Sequence, residues 1–216
     1  MSPPPSNILA LVNQVQETLE AVYQIRAPDV RDFLVDTNGL AALGGGDLRP
    51  ADEWVLVAES EDGLDLAVYI EEGRLSELGD AQDLGEAADL ALPALASVVE
   101  GVSHFLLLIE RARREEPVTM LELEAQAEVD KYLVPCLHHP LRAQEWHQRI
   151  FALSQLGPRL SGEERDRYRE ASRLGAAWCR HLSTFPHLQA RLNTQRAFWR
   201  APGMERLRRM RSLCCG

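Results

Sequence analysis

Four side chains stand at spacings that suit metal chemistry. Glu100 and His104 are four residues apart, and so are Glu124 and Glu128. On α-helices each pair projects from one face. Two antiparallel helices presenting Glu and His inward are how helical bundles build carboxylate metal centres. The usual signature of such centres, Glu-x-x-His, is missing from the chain. The bland alternative is a solvated acidic face, or a buried pairing of these groups with basic side chains, with Glu128 beside Lys131.

Two other constellations are weaker. Cys136-Leu137-His138-His139 and Cys179-Arg180-His181 offer donors that suit Zn²⁺. Residues two apart on a helix point to different sides, so Cys179 and His181 chelate poorly together. His138-His139 before Pro140 is also ordinary turn composition. Lys131 is the only lysine among 23 basic residues; in so Arg-biased a chain it needs no special role. That bias is read as a GC-rich, bacterial coding genome rather than as phosphate binding.

The common phosphate loops, nucleophile elbows, zinc-protease helices and C-x-x-C pairs are absent. Nucleotide chemistry of the usual kinds is therefore disfavoured, and no cofactor is expected. There are four cysteines, and Cys214 and Cys215 lie where a staple has little to clamp. No basic leader precedes an apolar segment, and the longest apolar run is Phe105 to Ile109. No transmembrane segment, reduced thiols and a cytoplasmic location are the resulting expectations.

Charge is split along the 216 residues. The net charge of −10 combines an acidic first hundred residues, with 20 acids and 4 arginines, with a basic remainder. Residues 52–89 carry 13 acids against Arg74. Residues 189–216 carry seven arginines against Glu205, interleaved with Phe198, Trp199, Met204, Leu207, Met210 and Leu213. An amphipathic basic end of this kind suits a protein, a nucleic acid or an anionic surface, with Arg206, Arg208, Arg209 and Arg211 as the contact candidates. It equally suits docking onto the acidic half of the same chain.

The elements that must position these groups are mostly helical. Ile8, Val12, Val15, Leu19 and Val22 form one stripe of a helix over about 7–24, capped by Ser6 and stopped before Pro28. Residues 53–70 read as a β-hairpin turning at Asp62-Gly63, with Trp54, Leu56 and Ala58 lining one face of its first strand. A short helix over about 83–92 leads to a second starting at Pro93, whose stretch Val98 to Ile109 is apolar nearly all round and therefore central. Thr119 opens a helix ending before Pro135. Another spans Leu141 to Leu156. The box Ser161-x-x-Glu164 starts the next, and one more carries Leu188, Leu192, Gln195 and Trp199.

The sequence thus predicts a mainly α (α+β) fold: a bundle of five to seven helices with one antiparallel hairpin. Residues 1–6 form an extended tail, 7–200 a single domain and 201–216 a basic terminal segment. The favoured function is non-enzymatic, an adaptor or regulatory subunit acting through protein contacts or self-association by way of the acidic hairpin and the Arg-rich end. Nucleic-acid or anionic-surface binding is one alternative. A metal-dependent helical-bundle enzyme built on Glu100, His104, Glu124 and Glu128 is the other.

Overall fold

The computed structural model describes residues 5–44, 51–60, 63–153 and 162–214. Its centre is the most apolar stretch of the chain. Helix α5 (Leu92–Arg113) carries Pro93 in its first turn, where a missing N–H costs nothing. Val98, Val102 and Phe105 on it are wholly buried. By length and composition α5 is the one described helix apolar enough to cross a membrane, but 78% of that apolar window is buried inside the fold.

The rest is arranged around α5. Helix α1 (Ser6–Tyr23) lays its expected apolar stripe on the core. It begins with Pro5 rather than Ser6 at the cap, and Gln24 ends it in a left-handed conformation, φ 57°. Strand β1 (Leu34–Val35) and helix α2 (Thr37–Gly44) follow, then strands β2 (Glu53–Ser60) and β3 (Gly63–Ile70), then short helices α3 (Glu72–Glu77) and α4 (Leu84–Leu90). Helix α6 (Met120–His138), α7 (Ala143–Leu153), α8 (Gly162–Ser183), α9 (Leu188–Arg200) and α10 (Gly203–Leu213) complete the order. The fold is mainly α with one small sheet. Among the described residues there are ten α-helices, more than the expected five to seven. The surplus is α2 and α3, eight and six residues and too short to show a helical period clearly, and α10, within the stretch expected as a basic terminal segment.

The sheet is mixed. Strands β2 and β3 pair antiparallel over the expected span, and β1 adds to β3 in parallel, giving the order β1-β3-β2. The register corrects one expectation. Glu53 lies opposite Ile70 and Val55 opposite Val68. Directly opposed residues share a face, and Val68 and Ile70 are buried on α5. The face of β2 on the core is therefore that of Glu53 and Val55, not that of Trp54, Leu56 and Ala58. Gly101 on α5 makes this approach close: a Cβ there would lie 3.4 Å from Val68 and 3.8 Å from the Oε2 of Glu53.

Thr119 caps α6 as expected, its hydroxyl accepting from the Glu122 N–H at 3.2 Å. Pro135 does not end this helix. It costs only its own bond to the carbonyl four residues back, and the Pro135 carbonyl still accepts from the His139 N–H at 2.9 Å. Ser161 of the capping box lies outside the described residues, as do Pro3, Pro4, the Gly45-Gly46 turn, Asp62, Gly157-Pro158 and Cys215.

The basic end is folded in. Leu207 and Met210 of α10 are buried in the core, and so is Arg206, 2% exposed. Arg196 donates to the carbonyls of Val22 and Ala21 at 2.7 and 3.3 Å. Helix α1 has no basic residue in its own last turn; Arg196 supplies the cation that its negative end favours.

Candidate metal centre

Helix α6 reads Glu122-Leu123-Glu124-Ala125-Gln126-Ala127-Glu128-Val129-Asp130, polar at every second position, and it is almost entirely buried. On a helix, alternate residues fall on opposite sides and every fourth returns to the same side. The run therefore makes two polar stripes. Glu122, Gln126 and Asp130 form one; Glu124 and Glu128, extended by Lys131, form the other. The two stripes have different chemistry.

The first stripe is closed. The Glu122 Oε1 accepts from Arg111 at 3.0 and 3.2 Å and from Arg206 at 2.9 Å. Arg111 also pairs with Glu116, so two guanidinium groups face two carboxylates. Asp130 accepts from the Tyr23 hydroxyl, from the Ser103 hydroxyl at 2.6 Å and from Gln126 at 2.9 Å. Burial nevertheless pushes its carboxyl up to about 6. Gln126 and Gln195 donate to the Tyr23 oxygen at 2.8 and 3.0 Å, and Trp178 donates to Gln195 at 2.6 Å. Tyr23 stacks on Trp199 with centroids 4.0 Å apart. Most polar atoms of this stripe have partners, the Nε of Arg206 and the Nε1 of Trp199 excepted, and such a buried network holds elements together.

The second stripe is open. Glu100, His104 and Glu124 each offer a ligand atom, and these atoms lie within 4.8 Å of one another. This is the one group of three or more such donors among the described residues. Glu53 joins it from the sheet, its Oε1 3.5 Å from the Nδ1 of His104. From α8 come Arg167, its Nε 3.8 Å from the Oε1 of Glu124, and Tyr168, whose phenol feels the charge of Glu124. Lys131 pairs with Glu100 at 3.3 Å and with Glu128. Glu124 and His104 are 2% and 7% exposed at the side chain.

Partners are missing on this side. The Nε2 of His104, the Oε2 of Glu53 and the Nε of Arg167 are all buried without a hydrogen bond. Charge is also out of balance. Among the described residues, the carboxylates of Glu53, Glu100, Glu124 and Glu128 pair with His104, Lys131 and Arg167. Even with the imidazole charged, four carboxylates face these three basic groups. The imbalance shows in the titrations. Burial alone would lower His104, but Glu53, with Glu124 and Glu100, holds it up at about 9. Burial first, then the charges of Glu100 and Glu53, push Glu124 up to about 7 against the opposing pull of His104. Burial and the same carboxylates push the Tyr168 phenol well up.

Of the four sequence candidates, the fold joins Glu100, His104 and Glu124 and leaves Glu128 one turn away on Lys131. Glu53, Arg167 and Tyr168 gave no signal in the sequence; Glu53 is 47 residues from Glu100 and opens a strand within an acidic stretch. The Cys136, His138, His139, Cys179 and His181 donors form no second group among the described residues. His139 instead lies 3.6 Å from Asp89, and Cys179 is buried. Of the basic candidates, Arg206 is buried on Glu122 and cannot meet a partner. Arg209 pairs with Glu205, and Arg211 lies 3.4 Å from Glu170. Arg208 is exposed.

No protein-family model, no curated protein and no solved structure matches the chain.

Proposed function

We propose that the protein binds one divalent cation between β2, α5 and α6, and that it works as a metal-dependent enzyme. Glu100, His104 and Glu124 are the ligands. Glu53 orients the imbalance toward them: its carboxylate on one ring nitrogen leaves the other as the donor, the arrangement that fixes a ligating histidine. The observation that carries this reading is the buried Nε2 of His104, unpartnered in a cluster where four carboxylates outnumber three basic groups. Burying an unmatched charge or a bare polar atom is costly, and a divalent cation meets both demands at once. Oxygen donors with one imidazole suit a hard or borderline metal such as Mn²⁺, Fe²⁺ or Zn²⁺. Bound there, the cation supplies Lewis-acid chemistry.

The test is a titration of chelator-treated, full-length protein with Mn²⁺ and with Zn²⁺. The expected result is one cation per chain, with affinity lowered at least tenfold in His104→Gln and in Glu124→Gln, both still folded by circular dichroism. Binding that is absent in the wild type, or indifferent to both substitutions, refutes the reading.

A second reading, contact with a protein partner or a second copy, has its own observation. Leu141 and Leu90 are 99% and 68% exposed on either side of the Asp89–Arg142 ion pair. Sedimentation of the full chain with and without Leu141→Ser tests self-association. The outer face of α10, with Arg208, is a charged surface available to a partner.

A further inference from the structure

We infer that the metal centre takes a phosphate-bearing ligand, held between the cation and Arg167. The inference rests on the metal reading above. Among the described residues, Arg167 meets the carboxylates of the cluster through one long ion pair, to Glu124, where Lys131 has two. Lys131 is used by both Glu100 and Glu128. Arg167 has its Nε buried 3.8 Å from Glu124 with no hydrogen bond. Its side chain is 27% exposed, so it runs from the buried carboxylates toward the surface. Its guanidinium lies 5.7 Å from the Tyr168 ring centroid. The group is therefore positioned rather than loose.

The chemistry follows from what a cation would change. Glu124, the carboxylate nearest Arg167, is a metal ligand in this account. Its charge is then spent on the cation, and the guanidinium fork is left to an external anion. A planar fork beside a divalent cation is the pairing that recognises phosphoryl oxygens. The charge count allows it. With the cation present, Lys131, Arg167 and the cation match the four carboxylates, so an incoming anion meets no net negative charge.

The experiment uses the full-length chain, stripped, loaded with Mn²⁺ and titrated with inorganic phosphate at constant ionic strength. Sodium acetate is the control anion. Expected is phosphate binding to the loaded protein, at least tenfold weaker without metal and at least tenfold weaker in Arg167→Gln. Arg167→Lys falls between, and the metal content of both variants is unchanged. A chain that takes up no cation overturns this inference together with the metal reading. A chain that takes up the cation but binds no phosphate, or binds it equally in Arg167→Gln, or binds acetate as tightly, overturns this inference alone.

Discussion

One substitution made at two neighbouring positions separates the two polar stripes of α6. Glu122→Gln and Glu124→Gln remove the same charge two residues apart. At Glu122 the carboxylate is the acceptor that Arg111 and Arg206 share, at 2.9 to 3.2 Å in a region 2–3% exposed. Glutamine keeps the shape but leaves two buried guanidinium groups short of one negative charge. Breaking a buried pair from one side costs about 3–5 kcal/mol, or roughly 6–20 °C in Tm for a chain of this size. At Glu124 the neighbourhood already holds more negative than positive charge, so glutamine relieves repulsion. The metal-free protein should then gain on the order of 1–2 kcal/mol. The assay is urea unfolding of both variants and the wild type in chelator at pH 7.5. A loss under about 1 kcal/mol at Glu122 would refute the closed network, and equal losses at both positions would refute the distinction between the stripes.

Other consequences are measurable. A Cβ on Gly175 would lie 2.7 Å from that of Glu128, so Gly175→Ala should force α8 from α6, destabilise by about 1–3 kcal/mol and weaken metal binding by moving Arg167 of α8 relative to Glu124. Gly203→Ala should destabilise similarly, because its Cβ would fall 1.9 Å from the Oε2 of Glu122, which two arginines hold in place; unchanged urea midpoints would contradict both. Asp130 gives a pH signature. Its folded pKa, about 6, lies above the ordinary aspartate value of 3.8, so the folded state holds the proton more tightly and stability falls as pH rises through that window. Asp130→Asn should therefore gain on the wild type between about pH 4 and 6, by on the order of 2–3 kcal/mol, and keep a constant difference above. A difference independent of pH contradicts this assignment.

The sequence showed some of this plainly and hid the rest for definite reasons. The hairpin was legible because β-branched and aromatic runs flank an Asp-Gly turn, and α5 because it is apolar all round. The spacing of Glu100 to His104 and of Glu124 to Glu128 marked a helical donor set. The strict alternation in α6 was harder. An acidic run reads as a solvated face, yet here both polar stripes are buried, each serving a different neighbour. The basic end suits docking within the fold as well as contact with an outside partner. Only the packing of α10 could show that Arg206 belongs to Glu122, 84 residues earlier in the chain. Glu53 was hidden by register: a shift of one residue would have turned its carboxylate away from α5.

The central claim is a cation held by Glu100, His104 and Glu124. Crystals of the full chain grown with Mn²⁺ test it most directly, through anomalous scattering. The account predicts one strong peak per chain inside this cluster, about 2.0–2.3 Å from the His104 nitrogen and from carboxylate oxygens of Glu100 and Glu124. A cluster without a peak, or a peak held only by surface carboxylates elsewhere, would contradict it.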